Sequence, residues 1–241
     1  MKRVDRGAVK PLLFNWHKPE RPMFNWRNAT LLASALLLQA CSSKSAIPPF
    51  TASGYTADDG VVRIWRKDEA QGSVHILAVV SPWGKGATAT REYRWQDDRL
   101  ASIELTEFSK PQEHVKVRFD EKGGLSFMQH EVDNNKQQLS SDQIALYQYR
   151  ATQLKQTSDA LRSGRVNLYQ GRWQPDGKVV TCDGKTAEPA LENAAIDYIR
   201  QRQSHSAVAV DIAWLEAPEG AQLLLVANED FCRWNPDAST F

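Results

Sequence analysis

A chain of 241 residues suits one folded domain and a tail, and 41% hydrophobic with 24% charged side chains is ordinary for a domain that buries a core. The formal net charge of +1 hides an uneven distribution: residues 1–40 carry seven Lys and Arg against two acids, which leaves 23 basic and 27 acidic side chains, a net of −4, beyond them. A mildly acidic domain lacks the electrostatic footprint of a nucleic-acid binder, so no nucleic-acid partner is expected.

The first element is the apolar run Ala29-Thr30-Leu31-Leu32-Ala33-Ser34-Ala35-Leu36-Leu37-Leu38. It is about half the roughly 20 residues that a membrane-spanning helix needs. Arg27 precedes it and small residues follow, the three-part layout of a secretory signal. A short core helix is the competing reading, disfavoured because polar low-complexity sequence follows in place of more domain. The next residues, Leu38-Gln39-Ala40-Cys41, resemble the lipobox of Gram-negative lipoproteins through Leu38, Ala40 and Cys41, and Gln39 departs from it. The resemblance implies diacylglyceryl transfer to the Cys41 sulfur, cleavage before it and acylation of the freed amine. Each buried methylene contributes about 0.8 kcal/mol, so several chains anchor stably where one is marginal. Ser42 stands where an Asp would favour inner-membrane retention, which implies the outer membrane, facing the periplasm. Translation is expected to start at Met23. The resulting signal has 18 residues with Arg27 as its basic region, whereas the 22 residues before Met23 contain Pro11, Pro19 and Pro22 and have no apolar function.

The expected organisation is therefore a signal over residues 1–40, the lipidated Cys41 with a flexible tether over 41–60, and a single periplasmic domain over 61–241. The tether is assigned because residues 42–60 are rich in Ser, Pro and Gly and lack apolar periodicity. From Val61 the pattern turns to β. Residues 61–67, 73–81, 88–95, 100–108, 114–119 and 125–132 are short runs rich in β-branched and aromatic side chains, separated by turn signals such as Asp97-Asp98 and Gly123-Gly124. Such spacing predicts an antiparallel meander. A weak repeat supports hairpins: Arg94-Trp95, Arg118-Phe119 and Arg172-Trp173 each precede a polar turn and then an aliphatic residue, Leu100, Leu125 or Val179. The three aromatics could form a binding face, but packing across hairpins is the favoured reading.

A long helix is predicted over residues 142–162, where Ile144, Tyr147, Ala151, Leu154, Ser158 and Leu161 recur at alternating spacings of three and four. Ser140 with Gln143 fits a capping box, and Gly164 suits the stop. Two uses fit the stripe, packing on the molecule's own sheet and a dimer seam, and the first is favoured. A shorter helix is expected over 189–202 with Pro189 in its first turn. Strands at 207–215 and 221–227 follow. The fold class is α+β: a strongly curved antiparallel sheet or partly open barrel, packed with one long and one shorter helix.

Little in the domain signals chemistry. His75, His114, His130 and His205 lack the short spacings of helix-borne zinc motifs, although three of them fall on predicted strands that could converge. No nucleophile elbow or phosphate loop appears, so neither a cofactor nor a metal is expected. Acids such as Glu104 and Glu107 are too common in an acidic domain to signal glycoside hydrolysis. Ser81-Pro82-Trp83-Gly84-Lys85-Gly86 is the most unusual loop. Trp83 is either held exposed as an interface anchor or folded back under the sheet, the second being favoured. Lipid consumes one of the three cysteines, and an oxidising compartment would pair the other two, Cys182 and Cys232. Both sit at strand ends, and the alternative is two separate buried thiols.

The signal with its Cys41, the Ser81–Gly86 loop, Tyr93-Arg94-Trp95 and Gln170-Gly171-Arg172-Trp173-Gln174-Pro175-Asp176-Gly177 are together similar to an uncharacterised family of enterobacterial lipoproteins, over most of the chain. The resemblance implies localisation and brings no activity, cofactor or site residue. Two functions are carried forward: a non-enzymatic envelope lipoprotein that binds an unknown envelope protein or ligand, and a periplasmic hydrolase with an unrecognised site.

Overall fold

The structure is a computed structural model that describes residues 46–84, 86–236, 239 and 241. Met23, the signal and Cys41 lie outside the described residues. Among the described residues no helix is long and apolar enough to cross a membrane.

Eight strands form the first sheet as an uninterrupted antiparallel meander: β1 (Phe50–Ala57), β2 (Gly60–Asp68), β3 (Ser73–Pro82), β4 (Ala89–Gln96), β5 (Arg99–Glu107), β6 (Glu113–Phe119), β7 (Leu125–Val132) and β8 (Asn135–Gln137). Local turn chemistry sets this order. Asp97-Asp98 and Asp133-Asn134 hold φ values of 49°, 60°, 47° and 63°. That is the mirror-image two-residue turn whose twist matches the flanking strands, and Asp and Asn tolerate it. The repeated aromatic motif is hairpin packing: Trp95 faces Leu100, Phe119 faces Leu125 and Trp173 faces Val179. Trp95 and Trp173 are buried, so these rings form no binding face.

β1 corrects the expected tether, because residues 50–57 form a strand of the first sheet. Eight residues of β1 pair with β2, from Phe50 opposite Lys67 to Ala57 opposite Gly60. The strand was masked by its small residues. Gly54 is needed because a Cβ there would lie 2.8 Å from the Val62 carbonyl oxygen and 3.0 Å from Leu224. Close approach to neighbours, rather than apolar bulk, stabilises it.

The second sheet has the order β11-β10-β9-β12-β13. Its strands are β9 (Asn167–Trp173), β10 (Val179–Thr181), β11 (Thr186–Ala187), β12 (Asp211–Ala217) and β13 (Gly220–Ala227). β12 starts four residues later than its predicted start at 207. Helix α1 (Ser141–Ser163) precedes this sheet, and α2 (Asn193–Ser204) lies between β11 and β12. Serine 140 caps α1 as expected: its hydroxyl accepts from the Gln143 N–H, and Gln143 Oε1 accepts from the Ser140 N–H. The stop differs from expectation. Gly164 stays right-handed at φ −76°, and Arg165 takes the left-handed turn at φ 55°. The Val166 N–H then closes on the Leu161 carbonyl, which holds a non-glycine residue in that conformation. α2 begins at Asn193 rather than 189, since Glu192 is extended at φ −63° and ψ 150°.

Alternation along each strand sorts the side chains into four layers. On one face of the first sheet, Val62, Ile64, Ile76, Tyr93, Ile103, Val115 and Val117 pack with Ala151 and Leu154 of α1. The opposite face presents Trp65 and Val79 to Leu168, Ala213 and Phe231 of the second sheet and the turn after it. The far face of the second sheet sets Trp173, Ile212, Trp214 and Val226 against Ile199 of α2. The α+β class stands, antiparallel sheet packed with one long and one shorter helix; the strands divide into two open sheets in α-β-β-α order, and neither closes into a barrel. The stripe of α1 is used on the molecule's own sheet. A stripe of one helix cannot reveal that the opposite face of its sheet is equally apolar, as Trp65 and Val79 make it.

A groove along a sheet edge

The predicted site residues fall in separate places. Cys182 and Cys232 are bonded, with their Cα atoms 5.1 Å apart. The bond ties the end of β10 to a short 3-10 turn, Phe231–Trp234, that follows β13. The three strand histidines do not converge. Each donates from Nε2 to its own cross-strand glutamate: His75 to Glu92 at 2.8 Å, His114 to Glu104 at 3.2 Å and His130 to Glu113 at 2.8 Å. The His75 bond, and Arg94 behind it, hold the Glu92 carboxyl below the usual range despite burial. Burial pushes Glu104 up, but Lys116 and His114 outweigh it and leave it low. Glu92 and Glu104 are held ionised by these donors and are poor proton donors at neutral pH.

Among the described residues, the ligand atoms of Asp211, Asp230 and Cys232 lie within 4.8 Å of one another. Their chemistry does not suit a metal, because the Cys232 sulfur is spent in the disulfide. Asp211 accepts from the Phe231 N–H and from Arg172, and Asp230 accepts from the Cys232 N–H. The three groups fasten the turn after β13.

Trp83 is exposed, which corrects the favoured reading of a ring folded under the sheet: 51% of its surface is free. Both of its N–H groups are nonetheless fixed to the β1–β2 hairpin. The backbone N–H donates to the Asp59 carbonyl at 3.1 Å, and the indole Nε1–H donates to the Ala57 carbonyl at 3.1 Å. Gly84 follows at φ 80°, and a Cβ on Gly86 would fall 2.4 Å from the Pro82 ring. The two glycines let the loop fold against Pro82 and leave the indole at the rim. An aromatic whose polar group is satisfied and whose ring is free exposes apolar surface at little cost in conformational entropy.

Trp83 lines one of two neighbouring hollows that sequence reasoning missed, which share Leu223 and Leu224 and together follow β13 as a groove in two halves. The first half, about 720 Å³, is lined by Gly54–Thr56 of β1, by Leu161 and Val166 at the end of α1, by Glu192 and Ala195, and by Glu219–Leu224. The second half, about 610 Å³, is lined by Pro82, Trp83 and Thr88, by Tyr198 and Arg202 of α2, and by Leu223–Ala227 with Glu229. Residues of β13 therefore line both halves. β13 is the last strand of its sheet, so one of its edges has no neighbouring strand. β1 or the Trp83 loop forms one wall, and α2 forms the other. Glu229 closes the Trp83 end, where its carboxylate accepts from the Thr88 hydroxyl at 3.2 Å, Trp234 Nε1 at 2.9 Å and Arg233 at 2.7 Å. No sequence signal marks the groove, because a strand's side-chain pattern does not say whether its edge is paired. The Leu223-Leu224-Leu225 run reads as core.

The groove thus lies between a sheet edge and a helix, with the exposed Trp83 ring at its rim and the Glu229 carboxylate tied to Thr88, Arg233 and Trp234. The family comparison agrees with the resemblance read from the sequence motifs. The chain belongs to the family described as "Protein of unknown function (DUF1481)", whose model matches residues 52–237. It is 56% identical over 242 residues to the "Uncharacterized protein YjaH" of Escherichia coli (strain K12), covering 100% of both chains. No solved structure matches.

Proposed function

We propose that the chain is a lipid-anchored protein of the bacterial envelope, held through Cys41 in the outer membrane and facing the periplasm, whose domain binds a partner or ligand without transforming it. The observation that carries the location is the Cys182–Cys232 bond, which leaves Cys41 as the remaining cysteine of three. Disulfides persist in oxidising compartments, and the short apolar run before Cys41 supplies the export signal. A protein already outside the cytoplasm, with a cysteine at the signal cut, fits lipid attachment there. The binding role is supported by the groove. Its floor is a strand edge, its rim is aromatic, and the Glu229 carboxylate at its Trp83 end holds the Thr88 hydroxyl, Arg233 and the Trp234 indole in place.

The test is metabolic labelling with an alkyne analogue of palmitate, followed by density-gradient separation of the membranes. The wild-type chain is expected to carry label and sediment with the outer membrane. Cys41→Ser is expected to lose the label and accumulate as unprocessed precursor. Label that survives Cys41→Ser, or an unlabelled wild-type chain, would sink the anchor.

A further inference from the structure

Along a strand, successive side chains point to opposite faces, so a surface that meets one face touches every second residue. The groove instead meets β13 at consecutive residues, from Gly220 through Leu224 in one half and from Leu223 through Ala227 in the other. It meets the strand edge-on. A free edge presents a row of backbone N–H and C=O groups, and natural sheets blunt such edges with Lys, Pro or very short strands. β13 has eight residues, contains neither Lys nor Pro, and carries Leu223-Leu224-Leu225-Val226. Its one irregularity is a bulge opposite Ala213 and Trp214, which leaves Leu224 between the two pairings.

We propose that the groove binds an extended peptide segment of another envelope protein, which adds to the second sheet as a strand along the free edge of β13. The proposal rests on the reading of the domain as a binding module. At roughly 3.3 Å per residue the edge is about 26 Å long, enough for six to eight residues of ligand. Main-chain hydrogen bonds supply affinity in this mode, and alternate side chains meet the two walls. The ligand's side chains face Tyr55 and Trp83 on one side and Ala195 and Tyr198 on the other. A slender strand fits where a second copy of the chain does not. Edge-to-edge pairing of two copies would drive the walls of each against those of the other, because each edge is flanked by β1 or the Trp83 loop on one side and α2 on the other.

Charge fixes the direction. Among the described residues, Glu192, Glu219 and Arg202 have no ion-pair partner. The two acids lie at the Gly220 end of the floor, and Arg202 lies toward Ala227. The complementary peptide is basic at the end that meets Gly220 and acidic or neutral at the end that meets Ala227. Complementary charge of this kind sets register and orientation more than affinity.

The experiment screens a display library of linear heptapeptides against the full chain in detergent micelles. Synthetic copies of the enriched peptides are then measured by fluorescence anisotropy. Enrichment is expected for peptides that alternate β-branched or aromatic with polar residues and carry Lys or Arg at one end. Methylating every second peptide nitrogen, in the set that faces β13, is expected to weaken binding tenfold or more. Methylating the intervening nitrogens should change it less than threefold. Bound peptide should slow amide exchange at residues 220–227. Glu192→Lys with Glu219→Lys, both on exposed side chains, should reverse the preference for a basic end. No enrichment, equal sensitivity to both methylation sets, or protection confined to another surface would overturn the proposal. Lipid labelling of Cys41 is read separately. Peptide binding without label would refute the anchor and leave the groove, and label without peptide binding would do the reverse.

Discussion

The Arg63 guanidinium lies 4.5 Å above the centroid of the Phe231 ring, between the two sheets, with none of its residue surface exposed. No carboxylate bonds to it among the described residues. Nη1 donates to Gln170 Oε1 at 3.0 Å and Nη2 donates to the Ser81 hydroxyl at 3.2 Å, while Nε has no partner. Burial lowers its pKa to about 10, still charged at neutral pH. Gln170 also donates to the Phe231 carbonyl at 3.0 Å, so one amide connects the cation, the ring beneath it and the disulfide-bonded turn.

Removing Gln170 should therefore harm the fold more than removing the charge it serves. Gln170→Ala leaves a buried cation with one bond fewer and an unpaired carbonyl, which costs about 3 kcal/mol. Arg63→Met keeps the volume and relieves the desolvation, and is expected to fall within about 1 kcal/mol of wild type. Urea unfolding of the two variants checks the order. A larger loss in Arg63→Met would mean that the ring contact and the charged bonds outweigh burial.

The disulfide spans 50 residues, and closing such a loop stabilises by roughly 4 kcal/mol through the unfolded state in the chain-entropy model. The double change Cys182→Ala with Cys232→Ala is expected to lose most of that and to loosen the turn after β13. Non-reducing peptide mapping of exported wild-type protein checks the bond itself, and two free thiols would refute it.

Asp68 accepts from both Arg66 and Arg162, which joins β2 to the end of α1. Burial raises its carboxyl, but the two arginines outweigh this and hold it below its ordinary value. A carboxyl lowered in the folded state adds stability that is complete above its unfolded value, near 4, and is lost as pH falls through the folded value. The wild type should lose urea resistance below about pH 4. Asp68→Asn should be weaker at pH 7 and decline less on acidification. Parallel acid limbs for the two proteins would show that Asp68 does not carry the effect.

Ser140→Ala removes one side of the capping box at the start of α1. The expected cost is about 1 kcal/mol, read as a shift in the urea midpoint with unchanged slope. Ser140→Asp, which can still accept from the Gln143 N–H, should recover most of it. An unchanged midpoint in Ser140→Ala would mean that the first turn frays without consequence.

Sequence alone determined the features that depend on near neighbours. Ser140 and Gln143 are three residues apart, so the start of α1 was legible; Asp97-Asp98 and Asp133-Asn134 turn the chain by their own backbone preferences. The cysteine pair followed from counting to three and from the compartment, and its sulfurs are joined. What depends on partners far along the chain was decided by tertiary structure. β1 was read as tether because Ala52, Ser53 and Gly54 carry no apolar signal, and it exists because Gly54 lets β2 and Leu224 approach closely. Arg63 is buried because Gln170, 107 residues away, offers an acceptor. Trp83 is exposed because its two N–H groups meet carbonyls of the β1–β2 hairpin. The groove belongs to the same class. A strand's side chains are written in the sequence, but whether its backbone edge has a neighbour is settled only when the sheets pack, and β13 is left without one.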